Sequence, residues 1–434
     1  SNGSLINMDN HEIDSKSMSL GTDISDNTSC IKKPAHRQSP PKHYIQRDDA
    51  LYIKVTVSFF MVGLATFALL YFVQPILPVL SDEFSVSPAT SSLALSLSTA
   101  LMACGLLITG PLSDAFGRKN VMVIALFCAA FFTLLSAMMN SWTGILITRA
   151  LVGLSLSGVA AVAMTYLSEE IHPAYLALSM GLYISGNSIG GMSGRVITGV
   201  LSDYYSWRLS VVILGIFALF AAVTFWKILP ASQHFRPTAL KPRNLLITTK
   251  LHFRDKGLPL LFIEGGLLMG GFVTLFNYIG YRLLDAPYSL SQTTVGLISI
   301  VYLSGTYSAS KAGLLTTKYG LGKVFIAGIS MMLIGILITL IESLPIIFVG
   351  MLILTTGFFA AHAVASSWVG RRAKRGRAQA SSLYLFTYYA GSSLAGTLGG
   401  LFWVSFGWLG VGMFIAVLML IALLIALHLN NVAQ

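Results

Sequence analysis

The stretch GPLSDAFGRKN, Gly110 to Asn120, places Asp114, Arg118 and Lys119 in one short run between two long apolar segments. The surrounding chain of 434 residues is 55% hydrophobic and only 10% charged. A soluble domain averages about 25% charged residues. Gly110, Pro111 and Gly117 suit a tight loop where two helix ends approach closely. The flanking apolar blocks are long enough to cross a bilayer, which takes roughly 20 residues. Helices satisfy their own backbone hydrogen bonds in hydrocarbon. The run is therefore a loop between two membrane helices of an all-α, multi-pass membrane protein.

Twelve such blocks follow one another, at about 53–80, 88–112, 120–140, 143–167, 174–202, 207–229, 258–284, 291–316, 321–341, 345–369, 378–404 and 407–429. The net charge of +11 comes from Lys and Arg clustered between blocks. With the N-terminus inside, the inner loops carry sixteen basic residues, against Arg208 and Arg282 outside. That asymmetry orients both termini to the cytoplasm and accounts for the basic balance without a nucleic acid. Residues 1–50 are polar and read as a disordered cytoplasmic tail, with no apolar signal-peptide core. Residues 51–230 form an N-terminal six-helix bundle, 231–257 a basic cytoplasmic linker, and 258–430 a C-terminal six-helix bundle. Within the linker, RNLLITTKLHF suits a short helix lying on the membrane surface. Cys30, Cys104 and Cys128 have no metal-ligand or disulfide-framework spacing.

The two halves repeat. YISGNSIGGMSGR (Tyr183–Arg195) aligns with YYAGSSLAGTLGG (Tyr388–Gly400) at an offset of 205. The opening loop echoes at Gly313–Lys323, GLLTTKYGLGK, where Thr317 stands in place of Asp114. Two similar six-helix halves are a transporter architecture, with the site near the midplane between them.

The repeat of six helices plus six, the basic central loop and the pattern G-x-L-x-D-x-x-G-R-K at Gly110–Lys119 resemble the major facilitator superfamily, over residues 50–430. GLATFALLYFVQPILPVLS and GVAAVAMTYLSEEIHP resemble the YnfM-type bacterial inner-membrane transporters of its drug:proton antiporter group. The resemblance implies two pseudo-symmetric six-helix bundles and alternating access in a bacterial inner membrane. It also implies a monomer that couples proton entry to efflux of a small amphipathic solute, with drug resistance as one outcome. Proton-coupled efflux of a sugar such as arabinose, and solute uptake by symport, are the alternatives. It further implies a cytoplasmic latch, in which Gly110 and Gly117 shape the loop. In that latch Asp114 meets the start of the eleventh helix near Gln379–Ser382, and Arg118 pairs with Glu169 or Glu170.

Buried charge is costly in a bilayer and marks function by default. Glu264 is the one Asp or Glu well inside a block, and it is the candidate proton carrier. Arg149 sits in RALVGLSLSG, which resembles the superfamily's fourth-helix motif and implies proton coupling or substrate anchoring. Arg195 and His362 complete the candidate coupling and substrate residues. Gly186, Gly190 and Gly194 recur every four residues beside Gly191, a spacing for close helix contact, with Gly391 and Gly399 as counterparts. The same stretch resembles the antiporter pattern G-P-x-x-G-G, with Asn187 in the proline's place. Tyr71, Gln74, Asn187, Asn277, Tyr281 and Tyr388 are candidate cavity positions, and Tyr302, Tyr307, Tyr384 and Tyr389 add amphipathic surface. GNSIGG lacks the P-loop lysine, so ATP-driven transport is not expected. One buried acid and one buried His do not make a membrane-embedded enzyme's site. No cofactor or metal is expected.

Overall fold

A computed structural model describes residues 43–237, 241–373 and 377–432; Cys30 and residues 1–42 of the expected tail lie outside the described residues. All regular elements among them are helical, apart from one isolated bridge between Ile45 and Ile171. The first span is α1 (Ala50–Tyr71), a 3-10 turn at Gln74–Ile76 and α2 (Leu77–Phe84). Five spans follow: α3 (Pro88–Phe116), α4 (Arg118–Ser136), α5 (Trp142–Glu170), α6 (Pro173–Tyr204) and α7 (Trp207–Ile228). A short helix, α8 (Pro242–Arg254), occupies the linker. Then come α9 (Leu258–Leu284) and a span built of α10 (Gln292–Leu297), a 3-10 turn and α11 (Leu303–Tyr319). The chain ends with α12 (Leu321–Ile338), α13 (Leu344–Arg372) and α14 (Arg377–Val432). The last turns at Gly407 (φ 65°, ψ −150°) and supplies two spans. The described residues thus form the twelve-span, all-α membrane architecture read from the sequence.

Successive spans alternate in direction. The turns at Gly117, Ile171, Gly320 and Ala373 share a face with the linker, called here the linker face. The turns at Ser85, Tyr205, Ser289 and Gly407 lie on the opposite face. Gly117 (φ 102°) and Gly320 (φ 86°) end α3 and α11 in backbone that only glycine adopts cheaply, so the repeated loop is repeated in geometry too.

One block departs from a single helix. Pro75 has no N–H to offer the Tyr71 carbonyl, and Pro78 none for Gln74, so the first span breaks between α1 and α2. The exposed apolar side chains Ile216, Phe220 and Trp226 of α7 are in place facing lipid, where a water-facing patch of that kind would be penalised.

The glycine stripe sets how closely helices cross. A Cβ on Gly186 or Gly190 would strike the backbone of Phe60 or Leu64, and one on Gly194 would lie 2.9 Å from Ala68 Cα. In the second half Gly391 meets Gly266, Ala395 Cβ lies 2.9 Å from where Gly270 would carry one, and Gly399 meets Thr274. Positions 60, 64 and 68 on α1 become 266, 270 and 274 on α9, each 206 residues later. The α1–α6 and α9–α14 crossings are therefore the same contact built twice.

Candidate functional site

Arg195 is 1% exposed, halfway through the molecule on α6. Its Nε donates to Gln74 Oε1 at 2.9 Å, its Nη1 to the Gly191 carbonyl at 2.8 Å and its Nη2 to the Tyr302 hydroxyl at 2.6 Å. A second bond from Nη2 also reaches Gln74 Oε1. The guanidinium lies 4.3 Å from the Tyr302 ring centroid and 5.1 Å from that of Tyr71. Gln74 Nε2 donates to Asn277 Oδ1 at 3.0 Å. Of the sequence candidates, Arg195, Gln74, Tyr71 and Asn277 thus meet in one cluster. The 3-10 turn imposed by Pro75 carries Gln74 to that meeting point.

Around this cluster the first six spans touch the last six through polar bonds. The hydroxyls of Ser81 and Tyr281 are 2.6 Å apart, as are those of Thr99 and Ser393; Thr397 donates to Ser96 at 2.9 Å. The Asp203 carboxylate accepts from the N–H groups of Gln292 (3.1 Å) and Thr293 (2.6 Å), at the start of α10, where the helix dipole favours an anion. Ser188 Oγ donates to the Tyr302 carbonyl at 3.3 Å. All of these bonds lie between mid-depth and the opposite face. Towards the linker face, a Cβ on Gly110, Gly313 or Gly370 would meet nothing within 4 Å. Ser96, Thr99, Asp203, Ser393 and Thr397 were not singled out in the sequence. The signal was present in α3, where Ser92, Ser96 and Thr99 recur at helical spacing, but Ser and Thr are common in such blocks.

Beside the cluster, the second half holds a packed group of aromatic rings. The Phe272 and Phe358 rings stack with centroids 4.0 Å apart, and His362 lies 4.7 Å from Tyr388. His362 Nδ1 and the Tyr384 hydroxyl are 2.8 Å apart. Tyr384 packs so close to α9 that its ring comes within 2.6 Å of where Gly265 would carry a Cβ. Glu264, the neighbour of that glycine, is 0% exposed, and neither carboxylate oxygen has a hydrogen-bond partner. Asn277, thirteen residues further along α9, is turned to Gln74 instead.

Arg149 lies elsewhere. Its Nη1 and Nη2 donate to the Leu69 and Leu70 carbonyls, both at 2.7 Å, and its Nε to the Ala94 carbonyl at 2.8 Å. Those two carbonyls lie in the last turn of α1, at the helix break, so Arg149 caps α1 and ties it to α3. Asn187 Oδ1 lies 3.0 Å from where Gly63 would carry a Cβ, inside the α1–α6 crossing.

On the linker face, Arg118 Nη2 donates to Glu169 Oε1 at 2.6 Å and Nε to Oε2 at 3.2 Å. Its Nη1 donates to Asp114 Oδ1 and to Ser113 Oγ, at 2.5 and 2.6 Å. Glu170 turns the other way and accepts from the N–H groups of Gln233 and His234, at 2.9 and 2.8 Å. Gln379, at the start of α14, donates to the Leu245 carbonyl (2.8 Å) and Thr249 Oγ1 (2.7 Å) of α8.

The family described as "Major Facilitator Superfamily" matches residues 56–311. The inner membrane transport protein YnfM of Escherichia coli K12 is 63% identical over 393 residues, which cover 91% of this chain and 94% of that protein. An uncharacterized transporter of Buchnera aphidicola (subsp. Baizongia pistaciae) is 49% identical, over 90% of this chain and 97% of its own. The crystal structure of a bacterial homolog of the human lysosomal transporter Spinster, inward-facing and occupied, superposes with a TM-score of 0.72 at 15% identity, covering 88% of this chain and 97% of that one.

Proposed function

The chain belongs to the major facilitator superfamily and is a multi-pass membrane transporter, and from that premise we propose that it exports a small amphipathic solute in exchange for protons. The membrane is the bacterial inner membrane, with the linker face in the cytoplasm. This follows the charge asymmetry of the loops and the identity to the E. coli protein. Bonds between the halves that cluster towards the opposite face support an inward-facing state.

The observation that carries this reading is Glu264: wholly buried, without a hydrogen-bond partner among the described residues, and next to a group of aromatic rings. As an anion it would be an unpaired charge in a low-dielectric site. A solute with a cationic or hydrogen-bonding group supplies the missing partner and displaces the proton. Phe272, Phe358, His362 and Tyr388 give such a solute an apolar, stackable wall. Arg195, with Gln74 and Tyr302, senses the occupied site, because the network joins both halves. Binding must then differ between the two states for transport to follow. Arg118, with Asp114 and Glu169, serves as the latch of the outward-facing state. His362 relays between the aromatic group and Tyr384, and Arg149 holds the first span rigid while the halves move.

The test is proton movement in proteoliposomes on adding an amphipathic cation such as ethidium, and separately arabinose. Substrate entry that makes the lumen more alkaline supports exchange. Co-directional proton flux sinks it in favour of symport, and a hydrolysed product sinks transport.

A further inference from the structure

On the opposite face, away from the aromatic group, the second half holds a cavity of about 370 Å³ between the α9–α10 loop, the α12–α13 loop and the bend of α14. Its floor is Arg282, only 8% exposed, with the guanidinium 5.6 Å from the Tyr288 ring centroid and 5.3 Å from that of Trp408. One of its N–H groups donates to the Thr339 carbonyl, and Trp408 Nε1 donates to Thr339 Oγ1 at 3.1 Å, which fixes the aromatic wall. Among the described residues no carboxylate is ion-paired with Arg282. The Tyr288 hydroxyl is buried beside it. A buried cation with no carboxylate in ion-pair contact suits an anion. At the mouth of the same cavity stand two exposed carboxylates, Asp285 and Glu342.

The polarity is thus positive at the floor and negative at the rim. It matches a zwitterion whose phosphate lies deep and whose ammonium lies outermost. The aromatic faces of Tyr288 and Trp408 are already taken by Arg282, so the rim offers carboxylate oxygens rather than open rings. That favours a primary ammonium with three N–H donors over a quaternary one. Flanking the same two chain segments is a second cavity of about 490 Å³ with apolar walls, among them Leu283, Leu290, Leu344 and Phe348. Arg282 and Leu283 are chain neighbours, one in each cavity, and Glu342 and Leu344 are nearly so.

We propose that this pair of cavities binds a phosphatidylethanolamine molecule, with its phosphate on Arg282 and Tyr288, its ammonium on Asp285 and Glu342, and an acyl chain in the apolar groove. A two-charge headgroup site opens beside a groove that water does not favour, in a chain that lives in a bilayer.

The experiment titrates lipid into the detergent-solubilised full chain and follows its thermal unfolding. Phosphatidylethanolamine is expected to raise the unfolding temperature at lower concentration than phosphatidylcholine or phosphatidylglycerol. Glu342→Gln, read against its own lipid-free unfolding temperature, is expected to weaken the ethanolamine effect about tenfold, the size of one charge-assisted bond. Equal responses to the three lipids, or an undiminished ethanolamine preference in Glu342→Gln and in Asp285→Asn, would overturn the site. Free phosphoethanolamine reproducing the whole effect would overturn the lipid assignment.

Discussion

Gln74 and Asn277 bond directly across the two halves, and the same Gln74 accepts two bonds from Arg195. One uncharged side chain therefore connects a buried cation of the first half to the second. Removing it strands the Arg195 Nε donor, at a cost of about 1–3 kcal/mol. Gln74→Ala is expected to open the opposite face by roughly 5- to 150-fold in population. In a cysteine-free background carrying Ala89→Cys, maleimide labelling from that face should rise accordingly. Unchanged labelling would show that the network does not hold the closure.

Glu264→Gln keeps the size of the side chain and removes the titrating group. Exchange of labelled substrate between the two sides is expected to continue, while a pH gradient no longer drives accumulation. If gradient-driven transport persists in this variant, the proton is carried by another residue.

The glycines divide sharply by what surrounds them. Gly190→Ala forces the α1–α6 crossing apart and is expected to cost about 1–3 kcal/mol, as overpacking does. Gly110→Ala meets open space in this state and is expected to leave the unfolding temperature in detergent nearly unchanged. Equal destabilisation by the two changes would contradict the crossing geometry.

The two carboxylates on Arg118 are not equivalent. Glu169 makes two bonds and its side chain is 27% exposed, whereas Asp114 makes one and is 45% exposed. Glu169→Gln is expected to lose about 1.5–3 kcal/mol of charge-assisted bonding. Asp114→Asn is expected to lose under about 1 kcal/mol in the present state, since exposed pairs contribute little. Its larger effect should fall on the outward-facing population, read by labelling from both sides.

Asp255 begins α9 by accepting from the N–H groups of Gly257 and Leu258, both at 3.0 Å, and from Arg372 Nε at 2.5 Å. Burial pushes its carboxyl up, but the bonds from Leu258, Arg372 and Gly257 outweigh it and hold it below the ordinary 3.8. A depressed acid stabilises the fold above its unfolded value and loses that contribution as pH falls through the folded one. Asp255→Asn should therefore unfold at lower temperature than the parent at pH 7, with the gap closing below about pH 4. A gap that stays constant with pH would mean that the charge does not matter there.

Most of the fold was legible because hydrocarbon leaves so few choices. Block length, basic loops and the repeat at offset 205 were enough for twelve spans. The break at Gln74 was less legible, since Pro75 and Pro78 sit in a block whose hydropathy never falters. The Arg195 cluster was partly legible, because a buried arginine advertises itself. The hydroxyl pairs from α3 to α14 were not, because nothing local distinguishes a serine that bonds across halves from one that bonds its own helix, as Thr133 does to Ala129. The separate position of Arg149 depended on the helix break, so it was out of reach for the same reason.

The contacts that close the opposite face are hydrogen bonds, some of them charge-assisted through Arg195 and Asp203, and no ion pair described joins one half to the other. Salt screens pairs of charges and barely touches bonds of this kind. Water, however, can take the place of each of them. The resting position of such a gate is expected to follow the activity of the water at that face more closely than its ionic strength.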